Sequence, residues 1–167
     1  GRSAGAALTE GNRNVAIGKD SLLTDTLGSR SVAVGLGALQ SQNLTTATDV
    51  YNTGVGHAAG NQITTGTNNT LIGGLAGDAL TTGTANVALG KSALSADTLG
   101  SKSIAIGLGT LQSQNFTTDT DSFNTAVGHG VGASITTGIE NVLIGSQAGD
   151  ADTQGKGTTA IGYNALT

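Results

Sequence analysis

Two histidines, a pair of aspartates and three clustered aromatics are the side chains whose types and spacing could do chemistry. His57 and His129 each follow a glycine, Gly56 and Gly128, within closely matching surroundings. Three copies of such an imidazole around an axis could hold a metal ion or an anion. The equivalent positions elsewhere hold Lys19, Leu36, Lys91, Ser146 and Tyr163, a mixture suited to an exposed site. A solvated surface histidine is therefore the simpler reading beside the ring of His57 and His129, and no resident cofactor is expected. Asp119 and Asp121 sit two positions apart, like part of a calcium loop. The preceding copy of the same segment carries Ala47 in place of Asp119, so the pair is not duplicated and reads as a solvated turn. Glycoside cleavage needs two carboxylates at a fixed separation, yet the two glutamates, Glu10 and Glu140, are far apart in the chain. Neither a Ser/His/Asp arrangement nor a phosphate loop is present, and cysteine is absent. The chain is not expected to be an enzyme.

Binding is the better use of what remains. Tyr51, Phe116 and Phe123 lie in two related segments, Gln40 to Tyr51 and Gln112 to Phe123, among amides, threonines and aspartates. Aromatic faces flanked by amide and carboxylate groups suit carbohydrate, and loops on a rigid scaffold are where recognition concentrates. The ligand-binding candidates are therefore Gln42, Asn43, Asp49, Tyr51, Gln114, Asn115, Phe116, Asp119, Asp121 and Phe123. A longer turn whose aromatic caps the core is the competing reading.

The elements that must position these residues are written into a repeat. Ser103-Ile104-Ala105-Ile106-Gly107 is one of nine variants of a single phrase, from Asn14–Gly18 to Thr158–Gly162. The phrases close on Gly18, Gly35, Gly56, Gly73, Gly90, Gly107, Gly128, Gly145 and Gly162. Most of the steps between these glycines are short and equal. The two long steps end at Gly56 and Gly128, so every fourth step completes a block, and the second block copies the first. Each phrase runs into a second one, such as Gly90-Lys91-Ser92-Ala93-Leu94, and then a polar turn such as Leu80-Thr81-Thr82-Gly83. Self-similarity at this period is the signature of a solenoid. The expected fold is all-β: a parallel β-solenoid of about nine short coils. Residues 1–13 read as a partial or capping coil, followed by a single repeat domain, 14–167. That domain holds two blocks, 14–85 and 86–157, and a terminal coil. The aromatic-bearing insertions fall in the long coils.

Composition agrees. Hydrophobic residues make up 37% of the chain, but aromatics only 2%, so the core must be built from Ala, Val, Ile and Leu. Proline is absent, as a continuous hydrogen-bonded ladder requires. A net charge of −4 argues against nucleic acid as a partner, and no apolar run is long enough for a membrane helix.

Alternation along a strand puts Ile104 and Ile106 on one face and Ala105 on the other. The aliphatic face is expected to stack inside the coils, leaving Ser, Ala and Gly as a flat outer surface. Such a surface suits the close approach of further chains, so a homotrimer is expected.

The phrase Asn-x-Ala-Ile-Gly-x-x-Ala-Leu, and wording such as Thr159-Ala160-Ile161-Gly162-Tyr163-Asn164-Ala165-Leu166, resembles the head repeats of trimeric autotransporter adhesins of the YadA type. It equally resembles repeat arrays of phage tail fibres and related bacterial fibre proteins. The resemblance covers nearly the whole chain, and both the short and the long coils exceed the adhesin head repeat in length. It implies a left-handed parallel β-roll, three chains per fibre, an extracellular place on a bacterial surface or a virion tail fibre, and attachment to a cell-surface glycan or protein. A purely structural shaft presenting a tip elsewhere is the alternative. A binder of ice or mineral through the Thr-Thr-Gly turns ranks last, because those threonines form no continuous array on one strand face.

Overall fold

A computed structural model describes all 167 residues. Thirteen short strands form three parallel sheets, and the main sheet contains one three-residue strand from every phrase. In chain order its strands are β1 (Val15–Ile17), β3 (Val32–Val34), β5 (Thr53–Val55), β6 (Thr70–Ile72), β7 (Val87–Leu89), β9 (Ile104–Ile106), β11 (Thr125–Val127), β12 (Val142–Ile144) and β13 (Thr159–Ile161). Each strand pairs in parallel with the next in unbroken register, Ala16 on Ala33 and Ala88 on Ala105 for example. The fold is a β-solenoid of about nine turns, without a helix. Two further ladders belong to the long coils: β2 (Gly28–Ser29) with β4 (Thr48–Asp49), and β8 (Gly100–Ser101) with β10 (Thr120–Asp121). Residues 1–13 stack on the first complete coil, through bonds such as Gly5 N–H to Ser21 O and Thr9 N–H to Thr26 O.

The two strand faces are the reverse of the expectation. Ala33, Leu71, Ala88, Ala105, Ala126 and Leu143, the middle residues, are fully buried inside the coils. The flanking valines, isoleucines and leucines point outward, with Ile17 57% and Ile161 66% exposed. The reason is volume. A short coil encloses only a narrow interior, and the strand shares it with the residue six positions on. Where the strand contributes Ala, that residue is Leu, as in Ala33 with Leu39, Ala88 with Leu94 and Ala105 with Leu111. Where the strand contributes Leu71 or Leu143, it is Gly77 or Gly149. In the two long coils' successors both residues are small, and Ile63 or Ile135 of the same coil, with leucines from the coils on either side, fills the gap. A Cβ on Gly60 would lie 2.7 Å from Leu71 Cδ1 and 2.8 Å from Leu39 Cδ2.

Sharp corners close so small a coil. Leu39, Leu94 and Leu111 sit at φ +49°, +57° and +49°, a region that costs a non-glycine residue about 1 kcal/mol or more. Full burial of each side chain, roughly 1.5–3 kcal/mol for a leucine, offsets that strain. At the closing position only glycine serves: Gly35 has φ +138°, and a Cβ there would collide with the carbonyl of Gly56 in the next coil.

Side chains add a second set of ladders. Asn52 Nδ2 donates to Gly66 O at 2.7 Å while its Oδ1 accepts the Asn69 N–H at 2.9 Å. Asn69 repeats this one coil on, to Gly83 O and from the Asn86 N–H, and Asn124 and Asn141 do the same in the second block. Thr64, Thr81 and Thr136 donate their hydroxyls to the carbonyls of Thr81, Thr98 and Thr153. The first threonine of each turn is thus tied to the next coil, while Thr65, Thr82 and Thr137 stay exposed.

Asn69→Ala should destabilise the chain by about 2–4 kcal/mol, because two buried backbone groups lose their partners. Thr65→Ala, at an exposed turn position, should cost less than about 0.5 kcal/mol. Urea denaturation of both variants checks this; equal losses would contradict the ladder.

Candidate functional site: an exposed aliphatic face and two bulged coils

The outward face of the main sheet carries two side chains per rung for nine rungs. Val15, Ile17, Ile72, Leu89, Ile104, Val142, Ile144 and Ile161 are exposed, and Val32, Val34, Val55, Val87, Ile106 and Val127 are half-buried between them. Threonine stands in only four of the eighteen positions: Thr53, Thr70, Thr125 and Thr159. At about 4.8 Å per rung the strip is roughly 38 Å long. With a width of about 10 Å it covers about 400 Å², comparable to the largest apolar patch of an ordinary soluble monomer, which often has a function.

The strip has two distinct margins. The residue two before each strand has left-handed φ and forms one column: Arg30 at +64°, Tyr51 at +55°, Lys102 at +61° and Phe123 at +50°. Tyr51 and Phe123 are each 52% exposed. The Arg30 guanidinium lies 5.5 Å from the centre of the Tyr51 ring, and Arg30 Nε meets Asp49 Oδ1 at 2.7 Å. The second block rebuilds this group with different residues, Lys102 Nζ lying 5.2 Å from the Phe123 ring and 2.6 Å from Asp121 Oδ2. The opposite margin follows the closing glycines and holds Leu36, His57, Leu108 and His129, all exposed. His57 shares a rung with Tyr51, and His129 with Phe123. Within one chain no group of three His, Cys, Asp or Glu comes together for a metal.

The candidate binding residues divide. Asn43, Asp49, Tyr51, Asn115, Asp119, Asp121 and Phe123 are exposed. Gln42 and Gln114 are fully buried and Phe116 is 5% exposed, so these three are core residues and offer a ligand no surface. Phe116, like its counterpart Leu44, seals the interior where the bulge leaves the coil. The glutamines repair the asparagine ladder where its residue is the shorter serine. Gln42 Nε2 donates to Ser31 Oγ at 3.0 Å and to Asp25 Oδ2 at 2.6 Å, while its Oε1 accepts from Asn52. Gln114 makes the same bonds to Ser103, Asp97 and Asn124.

Asp97 is thereby a fully buried carboxylate that accepts from Gln114, from the Gly100 N–H and from the Phe116 N–H. Burial raises its pKa above the ordinary carboxylate value, against the lowering effect of those bonds. Burial also raises Asp78, in the turn after Gly77. Two shallow depressions, of about 250 and 230 Å³, lie at Ala151–Asp152–Leu166–Thr167 and around Lys91 and Leu108. Neither includes a histidine or an aromatic residue.

No protein-family model matches the chain, and neither a curated protein nor a solved structure matches it. No helix is long and apolar enough to cross a membrane.

Asp97 gives a test of the buried network. Its pKa is higher folded than unfolded, so the folded chain binds the proton more tightly and this group favours folding more as pH falls. The parent should gain stability relative to Asp97→Asn between neutral pH and about 4, where the unfolded carboxylate begins to protonate. A difference between the two that stays flat across that range, in urea titrations, would contradict a buried ionised Asp97.

Proposed function

We propose that the chain is a protomer of an extracellular fibre, three copies lying side by side, and that the segment serves attachment to a cell surface or surface glycan. The observation that carries the reading is the aliphatic strip. Nothing in a single chain covers it, and it keeps the same chemistry over nine rungs. The coils already hold a complete core of their own, so the strip is surplus to folding and suits association. Paired face to face, two strips bury about 400 Å² each, roughly half of what a stable pair of proteins usually buries per partner. Three chains around an axis enclose the strips and also bring their margins together.

Attachment falls to the bulges. They recur every four coils, about 19 Å apart along the solenoid, so a trimer presents six in two rings. Many weak contacts of this kind raise apparent affinity for a polymeric ligand by about 100-fold or more. The accessible polar tips, Asn43 to Ala47 and Asn115 to Asp119 apart from inward Leu44 and Phe116, are the surface available. The spacer reading keeps one specific support: Gln42, Gln114 and Phe116 build core, so part of each insertion already has a structural role.

Light scattering should give about three times the 16.2 kDa chain mass. Ile104→Asp with Val142→Asp should give a folded monomer, since both side chains point outward. Changing Thr45-Thr46-Ala47 and Thr117-Thr118-Asp119 to Gly-Ser-Gly should abolish binding to cells or a glycan array while leaving the melting temperature within a few degrees. A parent that binds no surface tested would make the segment a spacer; a monomeric parent would remove the fibre reading altogether.

A further inference from the structure

We infer that the copies associate in parallel and in register, the Tyr51 and Phe123 rings of one chain packing against His57 and His129 of the next. This rests on the reading of the chain as a fibre protomer. Any ring of chains whose axis runs along the solenoid brings the start of one chain's strands to the end of its neighbour's. The margin holding Arg30, Tyr51, Lys102 and Phe123 then faces the margin holding Leu36, His57, Leu108 and His129, and a ring that closes on itself allows no rise from one chain to the next.

Charge and size agree with that register. With no offset, both aromatic rings meet an imidazole, and Arg30 and Lys102 meet Leu36 and Leu108. Leucine lets the alkyl stems pack while Asp49 and Asp121 keep the charges paired. The crowding also matches on other rungs, where Gly157 faces Tyr163 and Asn68 faces Gly74. An offset of one rung in one direction places Arg30 against Lys19 and Lys102 against Lys91, two like-charge contacts. An offset in the other direction sets both cations against histidines and leaves Tyr51 opposite Gly74. In register the one like-charge rung is the first, Arg13 with Lys19, and there Lys19 has Asp20 at 3.5 Å. The block repeat reinforces the choice, because aromatic shares a rung with histidine, and cation with leucine, in both blocks.

The same pairing gives Tyr51 and Phe123 an occupant. Each ring has a cation over it within its own chain, and the remaining exposed half is covered by the neighbour's imidazole. The aromatics then close the fibre wall, and the bulge tips alone stay accessible to a ligand.

The chain has no cysteine, so introduced pairs report cleanly. Within one chain, positions 51 and 57 lie across an extended strand, roughly 15 Å or more apart, far beyond disulfide reach of about 7 Å between Cα atoms. Tyr51→Cys with His57→Cys should therefore oxidise to disulfide-linked species up to trimer mass on a non-reducing gel. Tyr51→Cys with Leu36→Cys, the pair for a one-rung offset, and Tyr51→Cys with Phe123→Cys, a pair for opposed chains, which bring like margins together, should stay monomeric on that gel. Light scattering of the parent is read alongside. An associated parent in which a control pair links, or in which no pair links, overturns the register while leaving the fibre reading in place. A parent that is monomeric overturns both.

Discussion

The interior of a short coil holds only a few small aliphatic side chains, and the rest of the molecule follows from that limit. The strand residue and the one six positions on are Ala with Leu or Leu with Gly, and Gly77 leaves the space that Leu71 and Leu80 fill. The strand's remaining aliphatic side chains are therefore turned outward, which creates the strip. The same limit demands corners tighter than ordinary residues prefer. Hence left-handed backbone recurs at fixed places in each coil, occupied by glycine where another backbone approaches, by leucine where burial compensates, and by surface residues such as Arg30 and Tyr51 two positions before each strand.

Stacking supplies what one coil lacks. Each rung hands its backbone groups to the next, and the asparagine and threonine ladders tie the corners at the same spacing. The long coils interrupt this order in a controlled way. Serine replaces asparagine, glutamine reaches over to complete the ladder, and a buried aspartate anchors the glutamine and the entrance to the bulge. The bulge then extends from a corner fixed by polar bonds, with Leu44 or Phe116 as its seal. Both blocks build this corner with nearly the same residues, whereas the surface group beside it changes from Arg30, Asp49 and Tyr51 to Lys102, Asp121 and Phe123. Preserving the chemistry while changing the residues suggests that contact is the purpose of that margin.

The repeat, its two spacings and the parallel solenoid were legible in the sequence because glycine at a fixed offset leaves little else to build. The orientation of the strand faces is not legible by the ordinary rule. Alternation shows that Ile104 and Ala105 point opposite ways, but the usual rule that the larger aliphatic faces inward fails when the interior is this narrow. A signal was present: positions six apart exchange bulk, Ala105 with Leu111 but Leu143 with Gly149. Gln42, Gln114 and Phe116 looked like binding residues by type alone. Their burial depends on Ser31 or Ser103, a strand and two corners earlier in the chain, and on the aspartate in the preceding coil. Those relationships become visible only once coils are stacked. The margins were likewise hidden, since His57 and Tyr51 share a rung without being neighbours in the chain.

Methyl NMR with a soluble paramagnetic probe tests the central claim most directly: alanine fills the coils, and the valine and isoleucine row lies outside and is covered by other chains. The methyls of Ala33, Ala88 and Ala105 should stay sharp at every concentration. Those of Ile104, Ile106 and Val142 should be protected in the assembled protein and broadened on dilution to single chains. Broadening of the alanine methyls while the isoleucine and valine methyls stay sharp in the single chain would contradict the account.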